Sequence, residues 1–161
     1  MSRYEHVIDL VTTLPYPRET VFPFFAEAAN LEAITPPELR FRIRTPLPIE
    51  MREGARIEYR LSLFGVPFGW TTEITRWDPP YSFVDEQIRG PFRLWRHEHV
   101  FADAAEGKET RMRDRVDYAL PFAPFGELVH PIVASRLDRI FSFRRDEIAR
   151  RFAAREWAER A

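Results

Sequence analysis

Residues 110–141 read TRMRDRVDYALPFAPFGELVHPIVASRLDRIF, and the fold turns on the change of period within them. From Thr110 to Leu120 the side chains alternate, with Met112, Asp114, Val116 and Tyr118 on one face and Arg111, Arg113, Arg115 and Asp117 on the other. That two-residue repeat predicts a half-buried strand. Pro121 and Pro124 interrupt it. Beyond them Leu128, Val129, Ile132, Val133, Leu137, Ile140 and Phe141, continued by Ile148 and Phe152, form an apolar stripe at helical spacing. A helix of about thirty residues is roughly 45 Å long. Such a stripe is buried only by lying across a sheet.

The sheet is legible upstream. Arg56–Leu63 sets Ile57, Tyr59, Leu61 and Leu63 against Arg56, Glu58 and Arg60, and strands are predicted again at 70–77, 81–89 and 92–101. Asp78-Pro79-Pro80, Gly90-Pro91 and the polar stretch 102–109 connect them. Links this short force antiparallel pairing. The apolar stretch Phe64–Gly69 reads as a loop, either a lid or a dimer contact. Nearer the N-terminus, Phe41 and Ile43 alternate with Arg40, Arg42 and Arg44, and 4–13 is a further strand. Between these two come a helix over 18–29 containing Pro23 and a short helix over 31–34 with Asn30 as its expected N-cap. The order is β-α-α-β6-α. It predicts an α+β chain, a curved seven-stranded antiparallel sheet wrapped around a long C-terminal helix, forming one domain over 1–161.

Composition agrees with a single well-filled core: 161 residues, 45% hydrophobic and 14% aromatic. The net charge of −1 gives no general attraction to nucleic acid. The absence of cysteine removes disulfides, thiolate metal sites and thiol nucleophiles together. No apolar run approaches a membrane span. Glu5 and Asp9 stand where a signal peptide needs an unbroken apolar stretch, so the expected location is cytoplasmic. Of 24 basic residues only Lys108 is lysine, which with charges balanced reads as a compositional bias of the genome. Arg144, Arg145, Arg150, Arg151 and Arg155, interleaved with Asp146, Glu147 and Glu156, read as ion pairs on a solvated helix face.

Local motifs sharpen the fold. The run Val21-Phe22-Pro23-Phe24-Phe25, then Asn30-Leu31 and Thr35-Pro36, resembles a bacterial subgroup of the SRPBCC superfamily, the START and pollen-allergen helix-grip fold. So do Gly90-Pro91-Phe92 followed by Trp95, His97, His99 and Phe101, and then Asp114, Val116, Tyr118 and Pro121. The subgroup is described as cyclase/dehydrase-like and ligand-binding, and the likeness spans roughly residues 4–153. What it implies is a cavity between the long helix and the concave face of the sheet. The implied partner is a small hydrophobic molecule such as a lipid, isoprenoid or polyketide.

The residues themselves point to one place. On the strand Trp95–Phe101 the aromatic face also carries His97 and His99, and a regular hairpin brings one of them opposite or diagonal to Asp114. Gln87 falls near Trp95 across the Gly90-Pro91 turn, and Trp70 stands at a strand start where it lines a pocket mouth or packs in the core. The expected ligand-binding set is Trp70, Gln87, Trp95, His97, His99, Asp114 and Tyr118. Three readings stay open: a hydrogen-bonded cluster that fixes strand register, polar groups that orient a ligand, or catalysis. In the last, His97 or His99 with Asp114 is general base and Tyr118 donates to an enolate, as aldol cyclisation and dehydration require. His97-x-His99 with Asp114 lacks a fourth ligand at a telling spacing, so no metal or cofactor is expected. His6 and His130 read as isolated residues. An interaction module acting through residues 64–69 or the helix end, and a homodimer, complete the alternatives.

Overall fold

The computed structural model describes residues 4–160, with side chains through 154. Arg155 and Glu156, expected in helical ion pairs, lie outside the described side chains. The strands are β1 (His6–Leu14), β2 (Arg42–Ile43), β3 (Arg56–Leu63), β4 (Val66–Asp78), β5 (Ser82–Arg89), β6 (Leu94–Ala104) and β7 (Glu109–Ala119). The helices are α1 (Arg18–Ala26), α2 (Asn30–Ala33) and α3 (His130–Arg160). All seven strands form one antiparallel sheet in the order β1-β7-β6-β5-β4-β3-β2. Consecutive strands from β2 to β7 are neighbours, and β1 closes the far edge by pairing with β7. This is the seven-stranded helix-grip architecture that the alternation and the terminal stripe predict.

Strict alternation places the core. In β7 Met112, Asp114, Val116 and Tyr118 are buried while Arg111 and Arg113 are exposed. In β6 His97, His99 and Phe101 are buried between half-exposed neighbours. The helix covers this concave face through Leu137, Phe141, Ile148 and Phe152, each buried. At one end of the molecule Phe22, Phe83, Phe101 and Met112 pack with Ile148 and Phe152. At the other, Val116 and Tyr118 pack with Leu137 and Phe141.

Several local expectations are corrected. The apolar loop is only the turn Phe64-Gly65, because β4 begins at Val66 and pairs Leu63 with Val66. Both turn residues take positive φ, +51° and +77°, the geometry of a tight hairpin with right-handed strand twist. Asn30 lies inside α2 and caps nothing; its amide donates to the Phe24 carbonyl at 2.9 Å and ties α2 to α1. The apolar stripe of α3 starts at Val133, since Leu128 and Ile132 are exposed and 125–129 forms a tighter 3₁₀ turn. Pro131 sits in the first turn of α3, where its missing amide costs nothing. Arg144 leaves the solvated face: it turns toward the sheet, its Nε buried. Arg150 and Arg151 do pair with Glu147 at 2.6 and 2.7 Å.

Candidate functional site

Between α3, the α1–α2 segment and strands β3 to β6 lies a cavity walled mostly by apolar side chains. Ile57 and Leu61 of β3, Trp70 and Ile74 of β4, and Phe83 and Trp95 form its sheet side; Leu137, Ile140 and Phe141 form its roof. The cavity volume is about 200 Å³. That is below the range of about 300–1,000 Å³ typical of pockets for drug-sized ligands, and suits only a small molecule. Phe64 at the β3–β4 turn and Arg136 of α3 stand at its mouth, the guanidinium 4.7 Å from the ring centre.

One end of the cavity is polar, and strand register builds it. Asp85 of β5 pairs with His97 of β6, and His99 pairs with Asp114 of β7. The short contacts run diagonally as well. His99 Nε2 lies 3.1 Å from Asp85 Oδ2, and His97 Nε2 lies 3.1 Å from Asp114 Oδ1. His97 Nδ1 is 3.8 Å from Asp85 Oδ2, beyond hydrogen-bond reach. His99 Nδ1 approaches Asp114 Oδ1 to 2.8 Å, but at an angle that leaves it without a hydrogen-bond partner. This last approach is a charge contact. Two imidazoles thus sit between two carboxylates, their ring centres 3.8 Å apart. Phe83 stacks on His99 at 4.1 Å and Phe141 meets His97 edge-on at 5.7 Å, which fixes both rings. Thr72 Oγ1 donates to Asp85 Oδ1 at 3.3 Å.

Burial and pairing compete over the protonation of these groups. Removal from water would raise both carboxyls, but contacts to the imidazoles outweigh it and hold Asp85 and Asp114 below the ordinary carboxylate value. Burial opposes charge on His99 too, yet Asp114 and Asp85 together raise it. His97 is lowered, first by burial and then by the charge of His99. The Tyr59 hydroxyl, buried in the cavity wall near Asp85, is pushed well above its usual value. Two further polar atoms of the wall are buried without partners: Trp70 Nε1 and Arg144 Nε.

Of the residues expected from sequence, Trp70, Trp95, His97 and His99 line the cavity. Asp114 stands behind the histidines and touches both. Gln87 is elsewhere: its Nε2 donates to the Phe92 carbonyl at 2.7 Å and its Oε1 accepts the Phe92 amide at 3.2 Å, pinning the Gly90-Pro91 turn. Tyr118 also stands apart, its hydroxyl 3.0 Å from His130 Nε2. His130 in turn is not isolated, since it stacks on His6 at 3.6 Å. Sequence reasoning missed Asp85 and Arg144. Asp85 was within reach, because it shares a strand face with Phe83 and Gln87.

A family model described as polyketide cyclase/dehydrase and lipid transport matches residues 14–141. The fold is similar to the Zhui aromatase/cyclase of Streptomyces sp. R1128, with a TM-score of 0.72 at 13% identity over 91% of this chain and 92% of that one. A protein of Thermus thermophilus gives 0.65 at 24% identity over 92% and 98%. Major latex-like protein 151 of Panax ginseng gives 0.62 at 13% identity over 92% and 97%. At these identities the likeness is one of fold. No curated protein matches the sequence.

Proposed function

The chain belongs to the polyketide cyclase/dehydrase and lipid transport family, and from that premise we propose that it binds a small hydrophobic molecule carrying an oxygen function. One observation carries this reading: the cavity is apolar except for a polar end and a few buried donors without partners, Trp70 Nε1 among them. An indole N–H left unpaired in a dry wall costs about 1–3 kcal/mol. A ligand oxygen placed against it recovers that energy, which is how an apolar pocket fixes orientation. The wall belongs to β3 through β6 and α3 at once, so the reading takes residues 1–161 as one working domain. Among the described residues no helix is long and apolar enough to cross a membrane.

Titration with 2-naphthol tests it. Trp70 and Trp95, edge to face at 5.3 Å, both border the cavity, so occupancy is expected to quench tryptophan emission at one equivalent. Ile57→Phe/Leu61→Phe narrows the cavity and should abolish the quenching in a chain that still melts cooperatively. Unchanged binding by that variant rejects the reading.

A second reading has its own observation. His97 is held by Asp114 at 3.1 Å while the ring borders the cavity. A base so oriented could remove a proton from carbon beside a ketone, letting that carbon attack a second carbonyl, with water then expelled. Tyr118, bound to His130, takes no part in it. Conversion of a linear poly-β-keto thioester, lost in His97→Gln, is the test.

A further inference from the structure

The ligand atoms of two buried histidines and the half-buried Asp85 converge on one point of the cavity wall. Asp85 Oδ2 is 3.1 Å from His99 Nε2 and 3.8 Å from His97 Nδ1, and the three ligand atoms all lie within 4.8 Å of one another. Four ligands at about 2.0–2.1 Å from a tetrahedral ion stand about 3.4 Å apart. The observed spacings straddle that value. We propose that Asp85, His97 and His99 bind a divalent transition-metal ion, with Asp114 hydrogen-bonded to the other nitrogen of His97 and in charge contact with that of His99.

The outer contacts favour this over a simple hydrogen-bonded cluster. Ligating histidines usually give their second nitrogen to a carboxylate, which fixes tautomer and ring orientation. Here a single oxygen, Asp114 Oδ1, lies 3.1 Å from His97 Nε2 and 2.8 Å from His99 Nδ1. His99 Nδ1 is buried and lacks a hydrogen-bond partner. With an ion on Nε2, the proton must sit on Nδ1, where Asp114 is already in reach. Among the described ion pairs both carboxylates pair only with the two imidazoles.

The face of the cluster decides what the ion could do. Asp85, His97 and His99 border the cavity and Asp114 does not, so the remaining coordination positions open onto the space where a ligand would lie. Two imidazoles and one carboxylate suit zinc or ferrous iron. The ligand class follows as an apolar molecule with a hydroxyl, carboxylate or dicarbonyl oxygen to complete the coordination. The second triplet, His6, Glu127 and His130, is a poorer site. It is half-exposed, and His6 Nε2 and His130 Nε2 already face Glu127 at 2.8 Å and Tyr118 at 3.0 Å.

The test uses the full chain, stripped with chelator and equilibrated with zinc alone, then with cobalt as a spectroscopic substitute. One equivalent of zinc per chain is expected, with cobalt giving visible ligand-field absorption. Asp85→Asn and His97→Gln should each weaken zinc at least a hundredfold, and Asp114→Asn tenfold to a hundredfold. His6→Gln/His130→Gln should change nothing. A folded wild-type chain that takes up no zinc overturns the proposal. So does uptake that persists in Asp85→Asn/His97→Gln but disappears in His6→Gln/His130→Gln. The proposal stands apart from the hydrophobic-ligand reading: zinc without 2-naphthol binding rejects only that reading, and the converse rejects only this one. A filled site also removes the cyclase reading, because the ion takes the nitrogen His97 would use as base.

Discussion

His99 is paired directly with Asp114 across the β6–β7 ladder, yet the hydrogen bond to Asp114 comes from His97, one step along the same face, at 3.1 Å. The carboxylate therefore serves two rings from one position. Asp114→Asn keeps the shape but replaces one acceptor oxygen with an amide whose N–H groups face imidazole. The expected loss is about 1–3 kcal/mol for a buried group left unsatisfied. Urea unfolding should show a lower midpoint with an unchanged slope.

Trp70 offers a cleaner separation of binding from stability. Its ring packs among Tyr59, Phe92 and Trp95, and Phe would keep most of that contact. The unpartnered Nε1 donor is removed, together with a small part of the ring. Trp70→Phe should weaken 2-naphthol by about 0.5–1.5 kcal/mol, the usual net value of one hydrogen bond, or roughly twofold to tenfold in Kd. Naphthalene, with no oxygen, should bind both proteins equally. Calorimetric titration of the two compounds decides it.

Much of this architecture was readable because alternation and helical spacing are properties of short windows. The seven strands, their meander and the covering helix all follow from such windows, and so does the approach of one of the two histidines to Asp114 across a regular hairpin. What escaped depends on longer-range geometry. Asp85 joins the cluster only because the β5–β6 register sets it opposite His97, and that register is held by Gln87 on the Phe92 backbone. Gln87 was the visible polar residue, but its amide is spent on the turn. Arg144 looked like one more arginine of a charged helix end. It enters the cavity because it follows Phe141 by three residues on the same helix face.

The β3–β4 turn predicts a stabilising substitution. Phe64 has φ of +51° and is 65% exposed. A non-glycine residue held there costs on the order of 1 kcal/mol, and asparagine tolerates the region best. Phe64→Asn should therefore raise stability by up to about 1 kcal/mol, losing in exchange only contacts at the cavity mouth such as that with Arg136. The same change opens the mouth. Stopped-flow exchange of 2-naphthol should become faster while the melting temperature rises.

The stacked pair His6–His130 makes a pH prediction of fixed sign. His130 is lowered from its ordinary value, first by burial and then by His6 beside it, with Glu127 opposing. Its neighbours are His6 on β1, Tyr118 on β7 and Glu127 in the turn before α3. In the unfolded chain a histidine takes up a proton near pH 6.5, whereas the folded chain accepts it only at lower pH. The unfolded state then binds more protons as pH falls through that interval, so stability contributed by neutral His130 is full above about 6.5 and is lost below it. His130→Gln keeps a polar partner for the Tyr118 hydroxyl and removes the titration. The drop in melting temperature between pH 7.5 and 5.5 should be smaller in that variant than in the wild type. An equal or larger drop would show that the stack does not disfavour the charged ring.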